Sequence, residues 1–166
     1  MALASQGPKV DPGLEPMAAD VRTTMWDQGL ELLEESECLA LMGRATVGRV
    51  AVTVGALPAI FPVNFALSDG AVVFRTGEGT KLAAATDHAV VAFEVDDWDP
   101  LEHTGWSVLA VGRASVVDDP DQVSRLSRLP LAPWAGGTRE HFVSMPIEFV
   151  SGRRIDHGTA AEDGEP

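Results

Sequence analysis

The chain has 166 residues, 45% of them apolar, and its 12 basic against 25 acidic residues give a formal charge of -13. Such a balance repels nucleic-acid phosphates and anionic lipid, and no run of about 18 apolar residues exists to span a bilayer. Cys38 is the only cysteine, which excludes an internal disulfide and a thiolate metal cluster; with no basic-then-apolar leader pattern, one cytoplasmic globular domain is expected.

Residues 1–24 carry Gly7, Pro8, Pro12, Gly13 and Pro16 with little apolar periodicity, and read as a flexible arm. Leu30, Leu32 and Leu33 then lead into Ser36, after which Cys38, Leu39, Leu41 and Met42 recur at helical spacing up to Gly43. Ser36 is the expected N-cap, with Glu37 favourably placed in the first turn. Cys38 is expected to pack in the core, since no histidine or lysine stands near it in sequence to favour a thiolate.

After Gly43 the pattern changes to alternation. Residues 47–54 form a β-branched run ended by Gly55, and 59–67 follow a short turn at Pro58 as the second member of a hairpin. In that second member Phe61, Val63, Phe65 and Leu67 share one face, while Ile60, Pro62, Asn64 and Ala66 share the other. Pro62 cannot donate to a ladder, so its position is an edge, a bulge or a place where something else lies against the strand. Asp69-Gly70 marks a tight turn, and 71–76 is the third strand of a meander. A short helix over 81–85 and a strand over 90–96 follow. The acidic stretch Asp96-Asp97-Trp98-Asp99-Pro100 reads as a solvated turn rather than a metal site, because nothing converges its carboxylates.

Residues 105–118 are the longest strand candidate, apolar on both faces, with Gly112 marking a bend of the kind barrels use. A helix opens at Asp119-Pro120 and runs to about Leu129, where Pro130 and Pro133 break it. A last strand over 142–155 is interrupted by Pro146 and Gly152, and residues 157–166 form an acidic tail expected to be disordered. The expected fold is α+β and mainly β: a six-stranded antiparallel barrel with short flanking helices, occupying residues 25–156.

One stretch stands out chemically. From Val72 to Leu82 an apolar strand passes through Gly77-Glu78-Gly79 into a helix start headed by Lys81, one of two lysines in the chain. Arg75 and Lys81 offer charge, Thr76 and Thr80 offer hydroxyls, and the first amides of a helix have no intrahelical partners, so the layout suits an anion such as a phosphate. An ordinary capped turn is the plainer alternative. Other chemistries find no support. His88, His103, His141 and His157 are scattered without ligand spacing, no Gly-x-Ser-x-Gly elbow appears, and the glycine turn lacks the third glycine and βαβ context of a dinucleotide fingerprint. Trp98, Trp106 and Trp134 suit a flat ligand, a core or a dimer interface equally.

The order Val47-Gly48-Arg49-Val50, Pro62-Val63-Asn64-Phe65, Phe74-Arg75-Thr76 with Thr80-Lys81-Leu82, Ala92-Phe93-Glu94-Val95-Asp96, Gly105-Trp106-Ser107-Val108, Gly112-Arg113-Ala114 and Gly152-Arg153-Arg154-Ile155 resembles the pyridoxamine 5'-phosphate oxidase-like split-barrel family. More narrowly it resembles the actinobacterial flavin/deazaflavin oxidoreductase branch and the nitroimidazole-resistance-type proteins grouped with it. The resemblance runs from about Leu33 to Ile155. It implies a homodimer with FMN, or a deazaflavin or haem, in a groove shared by both subunits. It also implies that Arg75, Thr76, Thr80 and Lys81 hold the cofactor phosphate, that backbone groups near Val63, Asn64 and Phe65 face the ring, and that Ser107, beside Trp106, supplies a polar contact.

The namesake enzymes carry two basic residues on the second strand, where this chain has Ile60 and Phe65, so the resemblance does not extend to their reaction. Arg153-Arg154 falls in the region that grips substrate phosphate there, or is a solvated strand end. The implied activity is transfer of hydride or electrons to a small planar acceptor of the quinone or nitroaromatic type, with no catalytic side chain of the protein required. The alternative is a non-catalytic dimer that binds or stores the cofactor.

Overall fold

The computed structural model describes residues 30–77, 80–131 and 141–155. The expected arm, the acidic tail, Trp134 and the Glu78-Gly79 pair lie outside them. The elements are β1 (Glu31–Leu33), α1 (Glu35–Met42), β2 (Val47–Val54), β3 (Leu57–Ser68), β4 (Ala71–Thr76), α2 (Lys81–Thr86), β5 (Ala89–Asp99), β6 (Thr104–Val117), α3 (Pro120–Leu126), β7 (His141–Pro146) and β8 (Phe149–Ile155). Strands pair antiparallel in the order β1-β8-β6-β5-β2-β3-β4-β7, and a further β6–β7 pairing closes six of them into a barrel. The expected six-stranded antiparallel barrel with three short helices is the fold observed.

Two strands have neighbours that stop part-way along them, and this shapes the barrel. β6 pairs along its length with β5, while on its other edge residues 105–111 meet β8 and residues 115–117 meet β7. The switch falls at Gly112, where a methyl group would overlap the carbonyl oxygen of Pro146. Only glycine lets the two backbones pass so closely, which is the physical content of the expected bend. β3 is the second such strand, but on opposite edges: residues 57–64 pair with β2 on one edge and residues 65–68 with β4 on the other.

The interior is filled from alternate strand positions. Val50, Val63, Phe65, Phe74, Phe93, Val95, Val108 and Met145 point inward and form one cluster with Cys38, Met42 and Leu82. Phe65 and Phe93 meet edge to face, with centroids 4.8 Å apart. Helix α1 packs against β8 at Gly152, where an added Cβ would sit 2.7 Å from Cys38 Sγ. Cys38 is thus fully buried core, as expected. A smaller cluster of Val73, Val117, Leu126, Leu131 and Phe142 joins the outside of β4, β6 and β7 to α3.

Four local expectations are corrected. Helix α1 begins two residues early: Glu34, not Ser36, is its N-cap, and Glu34 O accepts from Glu37 N and Cys38 N at 3.0 Å. The chain must turn immediately after β1, so the first helical bonds form there. The acidic stretch is no loop, because the β5–β6 ladder runs on through Asp96↔Ser107 to Asp99↔Thr104. Helix α3 stops at Leu126, not Leu129, with Ser127 as its C-cap. The expected last strand is two, β7 and β8, separated where Ile147 N donates to Gly70 O and Glu148 N to Val111 O. Among the described residues no helix is long and apolar enough to cross a membrane, and no group of His, Cys, Asp or Glu could hold a metal.

Candidate functional site

The site grows from the place where β3 and β4 part. Their ladder starts at Phe65↔Phe74, so Asn64 and Arg75 are the first residues beyond it and would face each other if the register continued. Instead β3 follows β2, with Asn64 opposite Val47, and a mouth opens between β3 and the β4–α2 turn. Phe65 N–H donates to Thr46 O at 3.2 Å on the β2 side. Alternation therefore turns the nitrogens of Asn64 and Pro62 toward the opposite edge, which has no partner strand among the described residues. Pro62 sits on an edge, one of its three expected readings.

Alternation also decides which expected ligands meet. Thr76 points inward and is buried, and its hydroxyl lies 2.8 Å from that of Thr80. Thr80 is the N-cap of α2 and accepts from Ala83 N at 3.1 Å. Lys81 is the first residue of that helix. Arg75 projects from the other face of β4, with its guanidinium carbon 5.1 Å from the centre of the Phe142 ring. Its Nε is buried and has no hydrogen-bond partner, a costly state for a donor unless something else completes it. Thr76 and Thr80 are brought together, then, while Arg75 lies on the other face of β4, over Phe142. A charged donor with an orphaned N–H and a hydroxyl pair at the end of the same strand are the polar groups available to a phosphate-bearing ligand.

On β3, Val63 and Phe65 are buried core side chains whose backbone N–H groups turn toward β2. Asn64 faces outward, its Nδ2 3.4 Å from Thr46 O. Trp106 and Ser107 do not act as a pair, because successive strand residues take opposite faces. Trp106 packs beside the core on the α1 side, in an open cleft of about 700 Å³ with Trp98 and Arg154. Ser107 is exposed on the outer face, opposite Asp96 on one neighbour and Arg153 on the other. Asn64 and Ser107 share that outer face but are separated by β2 and β5, about 14 Å at ordinary strand spacing.

Between them lies a group to which the sequence motifs assign no role. Arg49 Nη1 donates to Glu94 Oε2 at 3.0 Å and to Asp96 Oδ1 at 2.6 Å. Burial, then the neighbouring Asp96, pushes the Glu94 carboxyl up, and Arg49 opposes both. The signal was available: Arg49, Glu94 and Asp96 occupy outward positions of strands whose alternation is plain, and only the β2–β5 register joins them. Arg154 is likewise engaged, with Glu37 and Glu31, on the face away from Ser107. Arg153 and Arg154 thus lie on opposite sides of β8. Val47, Ile60 and Val90, all exposed, complete the outer face of β3, β2 and β5.

The family model described as pyridoxamine 5'-phosphate oxidase matches residues 34–154 of this chain. The chain belongs to that family. It is 42% identical over 128 residues to the uncharacterized protein Rv0080 of Mycobacterium tuberculosis, covering 74% of this chain and 84% of that one. Among solved structures, it is similar to an FAD binding protein from Mycobacterium smegmatis, at 36% identity and a TM-score of 0.67, over 76% of this chain and all of the other (100%). An FAD-binding protein from Mesorhizobium loti matches at 25% identity and a TM-score of 0.61, over 76% of this chain and 99% of its own. The flavin-binding split-barrel family expected from the motifs is therefore the family found.

Proposed function

We propose that this member of the family binds a flavin nucleotide as a homodimer and uses it to pass hydride or electrons to a small planar acceptor of the quinone or nitroaromatic type. The observation that carries the reading is the end of the β3–β4 ladder, where the last residues of β4 carry the unpartnered Arg75 Nε on one face and the Thr76–Thr80 hydroxyl pair on the other. Arg75 and Thr80 would bind the phosphate, with Lys81 added from the head of α2. The edge of β3 at Pro62, away from β2, would lie along the ring. FMN and FAD share both features, and the names of the M. smegmatis and M. loti relatives favour FAD. A bound flavin supplies the redox chemistry, so the protein's part is to bind, orient and exclude water.

The dimeric part of the reading is supported by the spread of polar groups on the outer face. Asn64 and Ser107 are too far apart to meet one ring from a single chain, and exposed Val47, Ile60 and Val90 between and around them suit burial against a second copy. Ser107 would then serve the site of the neighbouring subunit. Sedimentation of the purified protein with and without FAD tests the assembly, and steady-state oxidation of the reduced holoprotein by a panel of quinones and nitro compounds tests the chemistry. Saturable flavin binding without turnover would make the chain a carrier instead, and a monomer that binds flavin tightly would remove the shared site.

A further inference from the structure

A second cavity, of about 410 Å³, opens beside Asn64 between the α1–β2 connection and β3. Its floor is apolar, with Phe65, Leu129 and Pro130, and its polar groups are Arg44, Thr46 and Asn64. Volume and lining match the ordinary anatomy of a small-molecule site: mostly apolar walls with a few polar groups that fix orientation. It lies one strand from Arg75 and adjoins the candidate ring position at Asn64. We propose that it is the acceptor pocket of the flavin site, and that Arg44 selects acceptors carrying an anionic group, a carboxylate above all.

Arg44 is the reason for the charge assignment. It is exposed and has no ion-pair partner among the described residues, whereas Arg49 and Arg154 each engage two carboxylates. In a chain of charge -13, a cation left over at a cavity mouth is a local exception to the surrounding field. The end of α1 could supply an opposing negative potential there. Its last carbonyls are occupied, however: Leu39 O, Leu41 O and Met42 O accept from Gly43, Arg44 and Ala45 N–H at 3.0, 3.1 and 3.2 Å. An apolar floor with a single guanidinium at the rim suits a flat molecule with an acid at one end, the acid meeting Arg44 as a charge-assisted hydrogen bond.

This inference rests on the flavin reading for its purpose but not for its test. Binding of benzoate and of benzamide, isosteres differing in charge, is measured calorimetrically on the full chain with and without FAD. Turnover of 4-nitrobenzoate and 4-nitrobenzamide is then measured on the reduced holoprotein. Benzoate and 4-nitrobenzoate are expected to be preferred by about tenfold or more, a preference lost in Arg44→Ala, largely kept in Arg44→Lys, and weakened by salt. Arg44 is exposed, so both variants should fold. If no flavin binds but benzoate still outcompetes benzamide through Arg44, the pocket stands and the redox reading falls. Equal binding of the two probes, or a preference that survives Arg44→Ala, overturns the proposal.

Discussion

Two strands of this barrel have neighbours that stop part-way along them, and the two places end in opposite ways. At Gly112 β7 takes over from β8 on one edge of β6, the backbone presses against Pro146, and the seam closes without space for a methyl group. At Phe65 the β3–β4 ladder ends, no described strand continues along that edge of β3, and the end of β4 carries an unpartnered guanidinium nitrogen on one face and a hydroxyl pair on the other. The end of a neighbouring strand thus leaves a rigid seam at one site and a mouth at the other. What separates them is whether another strand takes over the edge.

The contrast breaks first at the seam. Gly112→Ala places a methyl group on the Pro146 carbonyl, and since backbone cannot yield like a side-chain tip, a loss of about 3 kcal/mol or more is expected. Chemical denaturation read by circular dichroism measures it, and a variant of unchanged stability would mean that the seam is loose. At the mouth the effect should appear in binding instead. Arg75→Ala is expected to weaken a phosphate-bearing flavin by about 1.5–3 kcal/mol, the value of a hydrogen bond to a charged group, and to change apo stability far less. Equal loss in both measurements would make Arg75 a structural residue that stacks on Phe142.

Much of the fold was legible because alternation is a local signal. The hairpin from Val47 to Ser68, the Asp69-Gly70 turn and the bend at Gly112 all follow from residues read in order. β1 was missed, since its three residues pair only with distant β8. The run Asp96–Asp99 was misread because its acids suggest solvent, while the strand is held by its partner β6. At the site, the turn from Arg75 to Lys81 was visible as an anion layout. That Arg75 and Thr76 take opposite faces, and Trp106 and Ser107 likewise, follows from alternation and was not applied there. Arg44 falls in no sequence motif, and Arg49 falls in one that assigns it no role, because cavity shape and register alone place them.

Two smaller effects sharpen the account of the closed region. Burial, foremost, and the nearby Glu37 hold the Cys38 thiol above its ordinary value of 9.0. The folded state therefore keeps its proton longer than the unfolded state does. Its contribution to stability is complete below about pH 9 and is lost as pH rises from there through the folded value, with a slope of at most about 1.4 kcal/mol per pH unit. Unfolding followed from pH 8 to pH 11 should show this decline, and Cys38→Ala should flatten it. Smallest is Arg49→Ala: the ion cluster is half exposed, so the monomer should lose about 1 kcal/mol or less, and less still in high salt.

On the proposed reading, the mouth between β3 and β4 holds a flavin phosphate. The most direct test is titration of the purified full chain with FAD and FMN, read by quenching of flavin fluorescence, for the wild type and Arg75→Ala side by side. Saturable binding that weakens by about tenfold or more in the variant is the predicted result. Absence of saturable binding of either nucleotide, or identical affinity in both proteins, would contradict it.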